Sequence, residues 1–279
     1  MIFLKYFIFI LFVILLFLPR AKALDPQKQY NIRPDQYGIP YSEEYIDTPD
    51  GALLVAWVLP PFPIVNKFTS VILACPSAGN MEYYIQQAFE LSRIGYTAIL
   101  FDYRGFGESS DFNIYPELFY YDEFATDLAS VISWAKDEYE DFETGVWGFE
   151  MGATIAPMAF EIEAFDFFIA ESAVIYSKSY AGNLSKYKFK TIKFPPSNTR
   201  IESLFRNINI PTLMLYGTKD KLNPVKKIKK TLKRNKNIEI IKYKGGHLGA
   251  FHSMTEKSTG DVLVKEILKF LGDDKVNKN

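Results

Sequence analysis

The chain has 279 residues, of which 48% are hydrophobic, so it can bury a large core and is not expected to be disordered. Its formal net charge of -1 argues against a globally basic surface of the kind that binds nucleic acid. The only cysteine, Cys75, excludes an intrachain disulfide, and with two histidines in the whole chain no Cys/His metal cluster is suggested. We therefore expect no cofactor, no metal and no nucleic-acid partner.

The first 23 residues have the pattern of a secretory signal peptide. Lys5 precedes an apolar run over residues 6–18, and Ala21-Lys22-Ala23 supplies an A-x-A-like cleavage site. The run is shorter than the roughly 20 residues that a membrane-spanning helix needs. We expect cleavage before Leu24 and export to the periplasm or the extracellular space. The alternative is an uncleaved anchor through residues 2–18, and only in that case is a membrane partner expected.

The strand and helix patterns of residues 24–279 predict a single α/β domain. After a polar lead-in (residues 24–40), two strand-like runs flank the turn signature Thr48-Pro49-Asp50-Gly51 and predict an antiparallel hairpin at a sheet edge. From residue 70 onward, short apolar runs alternate with helical patterns, which is typical of a mostly parallel sheet with helices on both faces. The predicted strands are residues 43–46, 52–59, 70–74, 96–102, 144–147, 165–170, 211–217 and 238–243, and the predicted helices include residues 82–94, 117–137 and 262–271.

Two segments interrupt this alternation. Residues 176–209 are rich in Lys and Tyr and contain Pro195-Pro196, which predicts a small lid between the sixth and seventh strands. Three of its tyrosines are expected to shape a ligand surface: Tyr176, Tyr180 and Tyr187. Residues 226–236 are densely basic, with two apolar positions at helical spacing. We interpret them as a solvated amphipathic helix, with a site for an anionic surface as the alternative.

The stretch Gly148-Phe149-Glu150-Met151-Gly152 follows an apolar strand and precedes a helix. A strand, a tight turn flanked by glycines and a helix are the setting of a G-x-S-x-G nucleophile elbow, whose central residue is a serine. Here that position holds Glu150. Two further residues follow in the chain order that a triad requires, Asp220 after an apolar strand and His247 after the last strand. The second histidine, His252, is expected to be structural.

These motifs give the chain a family resemblance. With Trp57 and the loop Ser77-Ala78-Gly79-Asn80, and with Phe101-Asp102-Tyr103-Arg104-Gly105-Phe106-Gly107-Glu108-Ser109, the chain resembles the α/β-hydrolases. More narrowly it looks like the Bem46-like or serine-aminopeptidase-like hydrolases, over nearly all of residues 24–279. The resemblance implies the α/β-hydrolase fold and hydrolysis of ester or amide bonds by the residues at positions 150, 220 and 247. It also implies an oxyanion hole made by the backbone N–H groups of Met151 and Ser77.

The chain departs from this family at two places. Cys75-Pro76 stand where the family usually has His-Gly, and proline has no N–H to donate to an oxyanion. Glu150 is the larger departure, because a carboxylate is a weak nucleophile toward acyl groups and its charge repels an oxyanion. We therefore expect an exported, catalytically impaired hydrolase homologue with a binding or scaffold role, whose cleft admits a small molecule or a peptide.

In the expected pseudoenzyme, Glu150 pairs with His247 and holds it protonated. Three other interpretations remain. One alternative is attack by the Glu150 carboxylate on an alkyl carbon, with His247 activating water against the resulting ester. Another is residual or unconventional hydrolysis of esters or amides. A third uses Cys75 as a substitute nucleophile, although a small half-buried residue without a chemical role is the stronger expectation for it.

Overall fold

The fold is described from a computed structural model, which covers residues 22–62, 66–185 and 192–272. Residues 1–21 of the predicted signal peptide, and Tyr187 of the predicted lid, lie outside the described residues. Within those three ranges, no helix is both long enough and apolar enough to cross a membrane.

A central sheet of eight strands organises the described residues. The strands are β1 (Ser42–Asp47), β2 (Leu53–Leu59), β3 (Thr69–Ala74), β4 (Thr97–Phe101), β5 (Glu143–Phe149), β6 (Phe167–Glu171), β7 (Thr212–Gly217) and β8 (Ile238–Tyr243). Their order across the sheet is β8-β7-β6-β5-β3-β4-β2-β1. Strand β2 pairs antiparallel with β1 and β4, and the other pairings are parallel. The prediction of a mostly parallel sheet is confirmed.

Helices cover this sheet. They are α1 (Ile85–Arg93), α2 (Tyr121–Glu138), α3 (Met151–Ile162), α4 (Ser177–Ser185), α5 (Ile201–Asn207), α6 (Val225–Leu232), α7 (Ala250–Ser253) and α8 (Asp261–Phe270). The central strands β3 and β5 are almost entirely buried, because helices pack over them. Parallel strands that are covered on both faces have continuous apolar sequences. The apolar runs of the sequence therefore locate the strands well.

Two helices differ from the prediction by four residues at one end. Helix α2 begins at Tyr121 rather than at residue 117, because the backbone of Glu117 and Phe119 exchanges hydrogen bonds with Lys193 of the 176–209 insertion. Helix α6 ends at Leu232 rather than at residue 236. There the Asn235 side chain donates to backbone carbonyls at the C-terminal end of α5, which draws the chain out of the helix.

The lead-in and the loop after β3 are held against the sheet by a short backbone pairing and by the buried carboxylate of Asp102. Asp25–Pro26 pairs in parallel with Ala78–Gly79, at the start of the described chain. Asp102, at the end of β4, accepts hydrogen bonds from the Tyr30 hydroxyl (2.6 Å) and the Met81 N–H (2.8 Å). Burial raises the pKa of Asp102 to about 7. The loop that carries Ser77 is thus fixed from both sides.

Arg104 joins the loop after β4 both to the hairpin turn and to a second buried carboxylate, Asp127 of α2. The Arg104 guanidinium donates to Asp127 (2.8 Å) and to Asp50 of the hairpin turn (2.6 Å). Burial raises the pKa of Asp127 to about 6, and the hydrogen bonds from Arg104 hold the pKa of Asp50 well below its usual value. The two motifs that carry these residues in the sequence are therefore one structural unit.

Candidate active site

The turn at Glu150 has the geometry of a nucleophile elbow. Strand β5 ends at Phe149 and helix α3 begins at Met151, while Glu150 between them has φ 46° and ψ -97°, a conformation that side-chain-bearing residues rarely adopt. A Cβ on Gly148 would lie 2.5 Å from the backbone of α3, and one on Gly152 would lie 2.0 Å from a carbonyl oxygen of β3. Both glycines are needed because the helix starts in contact with the sheet.

The carboxylate of Glu150 is buried and fully engaged. Its Oε2 accepts the Ser77 backbone N–H at 2.9 Å, and its Oε1 accepts the hydroxyl of Tyr180, on α4, at 2.9 Å. Only 2% of Glu150 is exposed. The backbone amide that the family resemblance assigns to the oxyanion hole is therefore bound by an anion that belongs to the protein itself.

The two expected oxyanion-hole donors have different surroundings. Ser77, not Pro76, presents its N–H to the site, so the proline in this loop removes no donor from that position. Met151 is the first residue of α3, whose first N–H groups have no acceptor within the helix. In the described part of the chain no acceptor bonds the Met151 N–H. One donor is thus occupied and the other is free.

Asp220 and His247 form a dyad at the ends of β7 and β8. Nδ1 of His247 lies 3.0 Å from Oδ2 of Asp220, and because an ionised carboxylate only accepts, Nδ1 carries the proton. Burial opposes ionisation of Asp220, but the His247 bond and the amides of Leu222 and Asn223 outweigh it and lower its pKa. Burial likewise opposes a charge on His247, yet the bond to Asp220 and the nearby carboxylates raise its pKa. The dyad therefore favours the protonated form of the His247 imidazole.

The expected direct pair between Glu150 and His247 is wrong. No hydrogen bond or ion pair joins them, and Nε2 of His247 is buried with no partner among the described residues. The Tyr180 ring lies beside the imidazole, with 6.1 Å between ring centroids. The carboxylate turns to Ser77 and Tyr180 instead, because these two donors satisfy both of its oxygens. Its charge acts on His247 only across space.

Glu171 is a site residue that the sequence reasoning missed. It ends β6, beside the elbow strand, and its Oε1 accepts the Ala250 N–H at 2.9 Å and the Tyr243 hydroxyl at 3.3 Å. Burial raises the pKa of Glu171 to about 7, and the charge of His247 partly opposes this shift. A carboxylate that ends a continuous apolar run at the carboxyl edge of a parallel sheet was the available signal.

The remaining candidates are described residues that form no hydrogen bond or ion pair with Glu150, Asp220 or His247. Cys75 is fully rather than half buried, burial raises its pKa, and its thiol faces the Leu73 carbonyl oxygen at 4.0 Å. It is therefore a thiol and not a ready nucleophile. His252 is an exposed residue of α7. Within residues 22–62, 66–185 and 192–272, no group of His, Cys, Asp and Glu could hold a metal ion.

The sequence matches one family model and part of one curated protein. The family model described as Serine hydrolase (FSH1) matches residues 119–249, a stretch that contains positions 150, 220 and 247. Over 77 residues the chain is 35% identical to an uncharacterized membrane protein of Saccharomyces cerevisiae. That match covers 27% of this chain and only 26% of the yeast protein's length.

Comparison of structures gives likenesses over most of the chain. An esterase of Pyrococcus furiosus superposes with a TM-score of 0.72 at 22% identity, covering 90% of this chain and 98% of the esterase. Est1E of Butyrivibrio proteoclasticus, solved with ferulic acid bound, gives a TM-score of 0.65 at 20% identity, with 83% and 98% covered. The narrower likeness to Bem46-like hydrolases stays a prediction. The strand order, the elbow and these matches identify the chain as a protein of the α/β-hydrolase fold.

Proposed function

We propose that this protein is a catalytically impaired hydrolase homologue whose cleft binds a ligand without hydrolysing it. The observation that carries this proposal is the hydrogen bond from the Ser77 N–H to the Glu150 carboxylate. An elbow serine would present a neutral hydroxyl and leave that N–H for the oxyanion of the substrate. The carboxylate takes the donor and places a negative charge where the intermediate would develop its own.

The magnitude of this effect favours loss of ordinary hydrolysis. Removing one oxyanion-hole donor costs on the order of 10²–10³ in kcat, and removing a triad member costs on the order of 10⁴–10⁶. Glu150 does both, since it replaces the serine and occupies the donor. Acyl transfer to its carboxylate would also give a high-energy mixed anhydride. Both of its oxygens accept directed hydrogen bonds, which also lowers their reactivity toward alkyl carbons.

The dyad supports a binding role. Asp220 and His247 keep the geometry of a triad acid and base, and Nε2 of His247 is a buried polar atom that has no partner among the residues that the structure describes. Leaving such an atom unpaired costs roughly 1–3 kcal/mol. A small molecule or peptide with a polar group that reaches Nε2 would relieve this cost. The likeness to Est1E, which holds ferulic acid in its structure, makes a small carboxylic acid a sensible first ligand to test.

Labelling with a fluorophosphonate, which reacts with activated serines, tests the proposal. We expect no adduct on the wild-type protein by intact mass, an adduct on Glu150→Ser protein, and none on the matched control Glu150→Ala. The double variant Glu150→Ser/His247→Ala should lose the adduct. A wild-type adduct that His247→Ala abolishes would overturn the proposal. A covalent adduct on Glu150 in His247→Ala protein treated with epoxides or haloalkanes would replace it with alkyl chemistry.

We also propose that the protein is exported, from the signal-peptide pattern of residues 1–23. Cell fractionation and N-terminal sequencing of the native protein test this. A mature chain that begins at Leu24 outside the cytoplasm is expected. A full-length chain retained in the membrane fraction would contradict cleavage and favour the anchor through residues 2–18.

A further inference from the structure

Positive charge is concentrated in one short part of the chain. Residues 219–244 contain eleven Lys or Arg and two Asp or Glu, a net charge of +9, whereas the remaining residues contain 21 and 31, a net charge of −10. The net charge is therefore near zero only because a strongly positive segment offsets a negative remainder. One of the two acids in this segment, Asp220, is buried in the dyad with His247, so it does little to neutralise the surface.

The fold gathers five of these lysines on one surface, which we call the basic face. Lys226, Lys229, Lys230 and Lys233 follow helical spacing along α6 and just beyond it, and Lys242 lies on β8, an edge strand of the sheet. They surround a groove of about 610 Å³ whose floor is apolar. The floor is formed by Val225, Leu232, Ile238 and Ile240.

The basic face has no compensating acid. All five lysines are exposed, and none of them has a carboxylate within ion-pair distance in the described part of the chain. Glu239 alternates with Ile238 and Ile240 along β8 and so projects to the opposite side of the sheet. The charges of this face are therefore available to a partner.

The lysines of this face repel one another along the helix. The helix dipole disfavours a cation at Lys226 in the first turn of α6 and favours one at Lys229 and Lys230 in the last turn. Lysines three and four residues apart repel one another by roughly 0.2–0.5 kcal/mol a pair. A helix selected only for solubility would mix both signs of charge on this face, so the distribution points to an anionic partner.

We propose that the basic face binds an anionic lipid surface. Lysines are flexible point charges without the fixed fork that arginine offers to a single carboxylate or phosphate, and here they are spread over a helix and a strand. Such a spread matches the diffuse negative potential of a membrane that contains anionic lipid. The apolar floor between the lysines would contact the acyl region once the charges are neutralised. This inference is independent of whether the site at Glu150 hydrolyses anything.

Vesicle co-sedimentation of the full chain tests the proposal. Vesicles of phosphatidylcholine are compared with vesicles that also contain phosphatidylglycerol. The N-terminal segment has basic residues of its own, Lys5, Arg20 and Lys22, and it is the same in the wild type and the variants, so its contribution cancels when they are compared on one vesicle type. Replacing Lys226, Lys229, Lys230 and Lys233 by Gln is expected to weaken binding to the anionic vesicles by about fivefold for each lysine, and so on the order of 10²–10³-fold together. Glutamine keeps the helix propensity, and a thermal melt verifies folding.

A second variant is the matched control for lost charge. It replaces the same number of exposed lysines elsewhere by Gln: Lys136, Lys257, Lys265 and Lys269. We expect it to bind anionic vesicles within a few-fold of the wild type, and wild-type binding to fall steeply as salt shortens the Debye length. Equal binding to both vesicle types, or equal weakening in both variants, would overturn the proposal. Binding to soluble polyglutamate but not to anionic vesicles would overturn it in favour of an acidic protein partner.

Discussion

Replacing Tyr180 by Phe tests whether the contact between α4 and Glu150 stabilises the fold. The Tyr180 hydroxyl is the only described donor to Oε1 of Glu150, at 2.9 Å, and 5% of Tyr180 and 2% of Glu150 are exposed. A hydrogen bond to a charged group contributes about 1.5–3 kcal/mol to stability, and solvent does not screen a contact as buried as this one. We therefore expect Tyr180→Phe to lower the free energy of unfolding by about 2–3 kcal/mol.

The matched control is Tyr121→Phe. The Tyr121 hydroxyl is also buried, and the charge of Glu150 adds to burial in raising its pKa, but it has no hydrogen-bond partner in the described part of the chain. Removing an unpaired buried hydroxyl should leave stability unchanged or raise it slightly. The two variants remove the same atom from the same residue type, so their difference isolates the hydrogen bond.

Urea denaturation followed by circular dichroism measures both variants at neutral pH, and a melting scan provides an independent value. At about 2–4 °C per kcal/mol for a domain of this size, Tyr180→Phe should melt roughly 4–12 °C below the wild type. A double-mutant cycle with Glu150→Ala should recover most of the loss as coupling energy. Equal stability of the two variants, or no coupling, would refute the assigned contact.

Three further predictions concern the elbow and the buried ionisable groups. Gly152→Ala should destabilise the fold by about 1–3 kcal/mol or more, because its Cβ would meet a β3 carbonyl oxygen at 2.0 Å, whereas Gly182→Ala in the open middle of α4 should be neutral or stabilising by urea denaturation. Because the pKa of His247 is raised in the folded state, its bond to Asp220 stabilises the fold fully below the unfolded pKa of about 6.5, and this stabilisation is lost as pH rises through the folded pKa. An NMR titration should place the folded pKa of His247 above about 6.5, and Asp220→Asn should lower it. The pKa of Glu171 is raised from 4.5 to about 7, so ionising this buried carboxyl destabilises the fold as pH rises between the two values. The stability gained by Glu171→Gln should therefore grow by about 1–3 kcal/mol from pH 5 to pH 8. A gain that stays constant with pH would contradict the raised pKa.

Local patterns were sufficient to predict the sheet and the elbow. The strands of a covered parallel sheet are continuous apolar runs, and Gly148 and Gly152 are required by contacts that form wherever a helix starts directly after a central strand. Asp220 and His247 follow the last two strands, so their meeting also follows from strand order. This part of the fold depends on little beyond neighbouring residues.

Contacts between distant segments could not be predicted in the same way. Helix α4 has no clear apolar stripe and contains Gly182, so nothing in its local sequence predicts a helix that brings Tyr180 over the elbow. The direction of the Glu150 carboxylate depends on a competition among Ser77, Tyr180 and His247, which come from three separate segments. Glu171 is placed by the register of β6 against β5, and the sequence alone does not give that register.

The central claim is that the Glu150 carboxylate disables hydrolysis by replacing the nucleophile and occupying the Ser77 donor. The rate of p-nitrophenyl ester hydrolysis tests this claim most directly. Wild-type protein should match His247→Ala protein and the uncatalysed background. Glu150→Ser should hydrolyse the ester on the order of 10² or more times faster than Glu150→Ala, because both variants free the Ser77 donor and only serine restores the nucleophile. Wild-type turnover at the level of a serine esterase, lost in His247→Ala, would contradict the claim.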